Sequence, residues 1–332
     1  MKAAVIDQFG NADSLHMVTN QPMPQCANNQ VLIRVEAAGI NPLDYRIRKG
    51  ELKFFLGSQF PMVLGNDIAG TVINVGEKVT SFNPGDRVFA LMDANSKPSI
   101  KGFAKPGGYA EYAVTRDDTL ARIPEPITAT EAAAVPLAAL TAYQVLIRKA
   151  PVDKNSRVLI NGASGGVGSF AVQIAKLLGA QVSAVASSRN GAFVKGLGAD
   201  EVISYQEIAL ENLAGPYDVI YDVIANSSYS KVKHLLSNAG IYVSNVPSAG
   251  VLLQQSVGWL STLHGRHKRA TYAWVKPIGK DLQIIAEWMA TGELKAFVEK
   301  TYSLDQVQQA HQDSEAGHVR GKIVLNLDAN NP

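Results

Sequence analysis

The chain has 332 residues, a formal net charge of +2, 46% hydrophobic residues and one cysteine. This length suggests two domains with sizeable cores. The near-neutral charge argues against nucleic acid or an acidic membrane surface as the main partner, and the lone Cys26 excludes internal disulfides and points to a reducing compartment. From the N-terminus, Met1-Lys-Ala-Ala-Val-Ile reads as a first strand and lacks the apolar run of a signal peptide. No later stretch approaches the ~20 apolar residues of a membrane span, so a cytoplasmic location is expected. Residues 1 to 126 read as short strands broken by glycine and proline, as in Val31 to Ala37, Ile68 to Val75 and Asp86 to Leu91. That spacing predicts an irregular β-domain. The loop 92–107, with Asn95, Ser96, Pro98, Gly102, Pro106 and Gly107, is long for a connector and is expected to form a mobile lobe beside the site. The alanine-rich stretch 129–149 predicts a helix broken or kinked at Pro136. From Arg157 the pattern turns to strand–helix alternation, with strands at 157–161, 181–186, 201–205, 217–223, 240–245 and 269–275. Helices are expected near 166–178, 190–197 and 229–237. This order predicts an α/β unit with a parallel, doubly wound sheet. The basic run His264 to Arg269 reads as a solvated loop. Beyond Pro277 come a helix near 280–290, a strand near 297–302, a helix from Asp305 and a last strand, Lys322 to Leu327.

The richest segment is Arg157 to Lys176. An apolar strand enters a turn with glycines at 162, 165, 166 and 168. A helix follows with Val167, Phe170, Ala171, Ile174, Ala175 and Leu178 at i, i+3, i+4 spacing, and it stops at Gly179. A pyrophosphate must approach main-chain N–H groups at a helix N-terminus, and the turn that allows it has no room for Cβ atoms. Ser164, Gly165, Gly166, Val167 and Gly168 are therefore candidate dinucleotide contacts. The second strand of the unit ends Ala184-Val-Ala-Ser187-Ser188-Arg189-Asn190. It offers no carboxylate for a ribose 2′-OH, the mark of NAD-specific sites. Hydroxyls and a guanidinium suit the 2′-phosphate of NADP instead. The competing reading of Arg189 is a solvated residue that merely starts the next helix.

Seven segments in order carry a family resemblance: Ala38 to Asp44, Val63 to Gly70, Pro84 to Val88, Gly107 to Tyr112, Gly162 to Gly168, Leu197 to Val202 and Gly321 to Leu325. The chain resembles the medium-chain dehydrogenase/reductase superfamily, in the zinc-free quinone oxidoreductase branch that includes zeta-crystallin. Within that branch it is most similar to homologues that reduce alkenals and enones. The resemblance implies a GroES-like irregular β-barrel catalytic domain (1–126, completed by 278–332), an NADP-binding Rossmann domain (127–277) and a site in the cleft between them. Where zinc-dependent relatives place catalytic ligands, this chain has Asn41, Asn66 and about Leu137. Residues 91–112 contain no cysteine and 17–233 no histidine, so no metal is expected.

The resemblance also implies individual roles. Asn41 and Asp44 lie in a loop bordering nicotinamide and substrate, Arg46 is a cation contacting the cofactor, and Tyr205 packs near the adenosine phosphate. Thr141 touches the nicotinamide, while Val223, Ile224, Asn245, Val246, Gly321 and Lys322 supply backbone contacts. Asn41 and Tyr45 are candidate donors to an oxyanion. The expected activity is an NADPH-dependent, zinc-free hydride transfer to a quinone or to the activated C=C of an enone or alkenal, catalysed mainly by positioning. A zinc-free alcohol or aldehyde oxidoreductase is the alternative enzyme, although such chemistry usually needs an electrophile. A non-catalytic, NADPH-binding and RNA-binding protein is the other alternative, and the near-neutral charge counts against it. A homodimer is the family expectation, with a small-molecule acceptor as the other partner.

Overall fold

The computed structural model describes residues 1–95, 97, 104–246 and 267–327. The expected lobe over 92–107 and the basic run 264–269 therefore lie partly outside the described residues. The chain divides into two compact units, Met1–Leu140 with Lys276–Pro332, and Thr141–Val275.

The first unit opens with β1 (Ala3–Ile6), β2 (Leu15–Val18), β3 (Gln30–Ile40), β4 (Met62–Val63), β5 (Asp67–Val75), β6 (Arg87–Leu91), β7 (Tyr112–Arg116) and β8 (Leu120–Arg122). Strand β1 lies between β2 and β4, antiparallel to both. The long β3 is buried along almost its whole length, with only Arg34 exposed, because it pairs with β5 and β7 and packs on both faces. Helix α1 (Pro42–Arg48) follows β3, where the resemblance implied a loop. Its start is legible afterwards in Asn41-Pro42-Leu43-Asp44: proline enters the first turn, and Asn41 with Asp44 forms a capping box. The short α2 (Lys53–Leu56) comes next. Helix α3 (Ala129–Ala133), opened by a Thr128–Glu131 capping box, packs on β3 and β5. This packing keeps residues 127–140 with the first unit, whereas the sequence reading began the second domain at 127. Helix α4 (Pro136–Gln144) starts at the expected break and runs into a wider π-type turn, Val145–Lys149.

The second unit contains β9 (Arg157–Asn161), β10 (Gln181–Ala186), β11 (Glu201–Ser204), β12 (Tyr217–Asp222), β13 (Leu236–Ser244) and β14 (Arg269–Tyr272). Their spatial order is β11-β10-β9-β12-β13-β14, all parallel. This is the doubly wound order in which the chain switches direction between the first and fourth strands, leaving a crevice at their C-terminal ends. Helix α5 (Gly166–Leu177) buries Phe170, Ala171, Ile174 and Ala175 against the sheet. Helix α6 (Gly191–Gly196) and the short α7 (Tyr229–Val232) follow. The helix expected over 229–237 ends early because Leu236 already belongs to β13 and pairs with Tyr217.

The chain then returns to the first unit with α8 (Gly279–Ala290), β15 (Val298–Ser303), α9 (Val307–Ala316) and β16 (Lys322–Asn326). Strand β16 pairs with β15 and with β3, completing the order β15-β16-β3-β5-β6-β8, with β7 also on β3. A core of Ile6, Leu15, Ile40, Leu64, Tyr109, Ile323 and Leu325 joins the N-terminal and C-terminal segments.

Two glycines of the β9–α5 turn differ in what they are for. A Cβ on Gly168 would lie 2.1 Å from the carbonyl oxygen of Gly162, whereas a Cβ on Gly165 would meet nothing nearer than that same oxygen at 3.7 Å. Gly168 is thus required by the turn's own packing, and Gly165 leaves space outside it. We expect Gly168→Ala to force a backbone shift costing about 1–3 kcal/mol or more. Gly165→Ala, a change at the N-cap, should cost under ~1 kcal/mol. Thermal denaturation of the two variants checks this, and equal losses would contradict it.

Candidate functional site

In the first unit, a cluster of buried polar side chains forms where β3, β5, α1 and β16 meet. The Asn41 backbone N–H donates to Asp44 Oδ2 at 2.7 Å, and the Asn41 side-chain amide donates to Asp67 Oδ2 at 2.9 Å. Asn66 donates to Asp44 Oδ1 at 2.6 Å and Tyr109 donates to Asp44 Oδ2 at 3.0 Å. The N–H of Leu137 donates to Asp67 Oδ1 at 2.8 Å. The Lys322 ammonium donates to the Ile40 carbonyl at 2.9 Å and to Asn41 Oδ1, and it lies 3.6 Å from Asp67. All of these side chains except that of Leu137 are buried, Lys322 with 4% of its surface exposed.

Burial governs the ionisation of the cluster. It pushes the Asp44 carboxyl up to about 6, against the lowering effect of the Asn66 hydrogen bond. It also raises Asp67, which the Lys322 charge opposes, and lowers Lys322, which Asp67 and Asp44 oppose. The positions that the resemblance assigns to zinc ligands thus hold two amides and an aliphatic residue turned to the service of two aspartates. Among the described residues, no group of three or more His, Cys, Asp or Glu could hold a metal ion. This donor set does not fit a catalytic zinc, which takes nitrogen, sulfur or carboxylate ligands around an open position.

Several site expectations change here. The amide of Asn41 is held inside the cluster: one N–H goes to Asp67, its oxygen accepts from Lys322, and the residue is buried. Asp44 caps α1 from within and is fully buried. The Lys322 N–H is taken by the Phe297 carbonyl, and a Cβ on Gly321 would lie 2.2 Å from that same oxygen, so both residues are packed closely at the β15–β16 junction. Arg46 pairs with Glu51 at 2.7 Å. Tyr45 is half-buried, burial pushes its phenol up, and its hydroxyl has no hydrogen-bond partner among the described residues. Thr141 is buried in α4, at the start of the second unit.

In the second unit, the expected dinucleotide residues gather at the C-terminal edge of the sheet. Helix α5 has Gly165 at its N-cap and so no side-chain cap, which leaves first-turn N–H groups open to an anion. Asn190 donates to Ser164 Oγ at 3.1 Å, tying the turn after β10 to the glycine turn. Ser187 closes β10 with a buried hydroxyl that has no hydrogen-bond partner among the described residues. The Ser188 N–H donates to Gln206 at 3.0 Å, and its hydroxyl pairs with Ser204 at 2.8 Å. Arg189 is exposed, and Tyr205 is 49% exposed at the end of the third strand. Asn245 accepts from the Tyr221 hydroxyl at 2.7 Å and donates to the Val223 carbonyl at 2.9 Å, while Val246 exchanges hydrogen bonds with Ser244. Ile224 is 52% exposed beside Gly162.

The sequence reading missed Asp67, Tyr109, Asn161 and Asp222 as members of these networks. A signal was available for the two acids: Asp67 precedes the apolar Ile68-Ala69 and Asp222 follows the apolar Val219-Ile220-Tyr221, and a charge buried with such a run requires partners.

Residues 27–125 match the family described as alcohol dehydrogenase GroES-like domain, and 197–325 match zinc-binding dehydrogenase. The chain is 34% identical to a chloroplastic quinone-oxidoreductase, QR1, of Triphysaria versicolor, over 98% of both chains. It superposes on the quinone oxidoreductase of Coxiella burnetii with a TM-score of 0.86, 34% identity and coverage of 98% of this chain and 99% of that one. The Escherichia coli quinone oxidoreductase complexed with NADPH gives a TM-score of 0.82 at 25% identity, over 98% and 100% of the chains. The chain belongs to the medium-chain dehydrogenase/reductase superfamily, among its quinone-oxidoreductase-like oxidoreductases, with a Rossmann unit and a GroES-like unit. No helix among the described residues is long and apolar enough to cross a membrane. The expected cytoplasmic location gains no support from the Triphysaria relative, which is named chloroplastic.

The two acids of the first cluster should respond differently to neutralisation. In Asp44→Asn, the oxygen can keep Asn41 and Tyr109 as donors, and Asn66 can turn its unpartnered Oδ1 toward the new amide. The folded-state pKa of Asp44, about 6, lies above its ordinary 3.8. Stability from this group is therefore full below 3.8 and lost as pH rises through 6. Asp44→Asn should match or exceed the wild type in stability at pH 7, and its advantage should shrink toward pH 4. Asp67→Asn leaves the Lys322 ammonium without its nearest carboxylate and should cost about 3–5 kcal/mol. Denaturant titrations at pH 4 and pH 7 measure both, and equal losses would contradict this account.

Proposed function

We propose that the protein is an NADPH-dependent reductase of a conjugated carbonyl acceptor, a quinone or an enone, that works without zinc. The observation that carries the cofactor reading is the end of β10. It has no carboxylate, but a buried Ser187 hydroxyl, without a hydrogen-bond partner among the described residues, beside Ser188 and the exposed Arg189. A buried hydroxyl without a partner costs free energy, and a 2′-phosphate would relieve that cost. The turn residues fit the rest of a dinucleotide: the uncapped start of α5 suits a pyrophosphate, and the space over Gly165 would admit it. The solved E. coli relative with NADPH supports the same choice.

In this reading Ser164, Gly165, Gly166 and Val167 hold the pyrophosphate, and Ser187, Ser188, Arg189 and Tyr205 hold the phosphorylated ribose. Asn190 braces the two turns against each other. Val223, Ile224, Asn245 and Val246 line the nicotinamide end, with Thr141 as a further contact. When bound, the nicotinamide supplies a hydride for an electron-poor carbon conjugated to a carbonyl. The chain's own part is to orient the acceptor, exclude water and donate a hydrogen bond to the carbonyl oxygen. Tyr45 is the better of the two proposed donors. A phenol is protonated at neutral pH, burial pushes this one further up, and its hydroxyl is uncommitted among the described residues, whereas the amide of Asn41 is buried and bonded to Asp67 and Lys322. Reduction of a conjugated carbon needs no metal to hold an alkoxide, which agrees with the residues at the zinc positions.

The cofactor reading is tested by the ratio of kcat/KM for NADPH to that for NADH. A charge-assisted contact to the 2′-phosphate contributes roughly 1.5–3 kcal/mol, or about tenfold to a hundredfold. Arg189→Ala should lower the ratio through NADPH alone, and Ser187→Asp should lower it further by repelling the phosphate while offering the 2′-OH of NADH a partner. The same ratio in all three proteins would mean that this turn does not read the 2′ position. Independence from zinc is checked by metal analysis and by assay after chelation. We expect no stoichiometric zinc and full activity, and a tightly held zinc whose removal abolishes activity would overturn the proposal.

A further inference from the structure

The turn after β12 is built with more constraint than a connector needs. Its leading residue, Asp222, is fully buried and accepts four hydrogen bonds: from Asn161 Nδ2 at 2.8 Å, the N–H of Ala225 at 3.0 Å, the N–H of Ser227 at 3.0 Å and the Tyr242 hydroxyl at 2.8 Å. The second proton of the Asn161 amide goes to Asn226 Oδ1 at 2.8 Å. Between these anchors Ala225 adopts φ of 55°, in the left-handed region that non-glycine residues avoid. A single alanine there is strained, and such a conformation persists only when its surroundings over-determine it. The side chain that results from this arrangement is Ile224. It is 52% exposed, an unusual placement for isoleucine, and it lies against Gly162, where an added Cβ would come within 2.7 Å of Ile224 Cγ2.

We propose that Asp222 is a positioning residue for the cofactor: with Asn161 and Tyr242 it holds the 223–227 turn so that Ile224 stands as an apolar platform over the glycine turn. This rests on the dinucleotide reading of the same edge. Asp222 touches no ligand in this account and acts through the turn. In Asp222→Asn, the remaining oxygen can keep Asn161 and Ala225 as donors. The new NH2 faces the Ser227 N–H, donor against donor, and that half of the turn is released.

The test is a double-mutant cycle on cofactor dissociation constants, read by nicotinamide or tryptophan fluorescence without turnover, with kcat and KM measured alongside. Ile224→Ala removes an exposed side chain, should leave Tm unchanged and should weaken NADPH binding on the order of tenfold. Asp222→Asn should weaken binding similarly, raising the KM for NADPH more than it lowers kcat. The double variant should bind no worse than Asp222→Asn alone, because a platform that is no longer presented cannot be lost twice. Should Asp222→Asn not fold, Tyr242→Phe, which removes one donor to the same carboxylate, takes its place in the cycle. Multiplying effects, or unchanged affinity in the Asp222 or Tyr242 variant, would overturn the positioning role. Failure of the wild-type protein to bind either dinucleotide would instead overturn the underlying cofactor reading.

Discussion

An ammonium group almost wholly removed from water holds the first unit together. Lys322 sits at the start of β16, yet its charge is received by the carbonyl of Ile40 at the end of β3, by Asn41 at the start of α1 and by Asp67 at the start of β5. An unpaired ammonium in this position would cost several kcal/mol. The last strand must therefore register against β3, and β3 against β5, closely enough to bring those oxygens together. Two carboxylates share one ammonium in the cluster, and burial drives the Asp44 carboxyl up to about 6. The start of α1 is fixed by the same groups, since Asp44 caps the helix and Asn41 links it to both Asp67 and Lys322. Tyr45 and Arg46, one and two residues beyond Asp44, inherit their placement from that cap.

The second unit meets a similar demand by other means. A carboxylate ends the central strand β12, and an amide, a phenol and two backbone N–H groups converge on it in place of an ammonium. Beside it Tyr221 and Asn245 fix the carbonyl of Val223. Around the network of the second unit, Ile224, Tyr205 and Arg189 are exposed. Under the proposed function, a turn braced in this way is shaped before anything binds, which reduces the ordering cost on association.

The sequence determined the order of elements in the second unit, and its first two strands with the helix between them almost to the residue. The strands at 157–161 and 181–186 and the helix after the glycine turn were readable because their apolar residues recur at the period of the element they form. It also determined which residues stand where zinc ligands would be, and which hydroxyls and guanidinium replace a carboxylate at the end of β10. Only the tertiary structure decided what those residues do. Asn41 is engaged by a lysine 281 positions away, and Gly168 serves a contact with Gly162 that linear spacing cannot distinguish from room for a ligand. Residues 127–140 join the first unit because α3 finds its packing partners on β3 and β5. The reason is the same in each case. Periodicity and capping are local and leave their mark on neighbouring residues, whereas the partner of a buried polar group is chosen by the fold, from segments whose order along the chain carries no trace of the pairing.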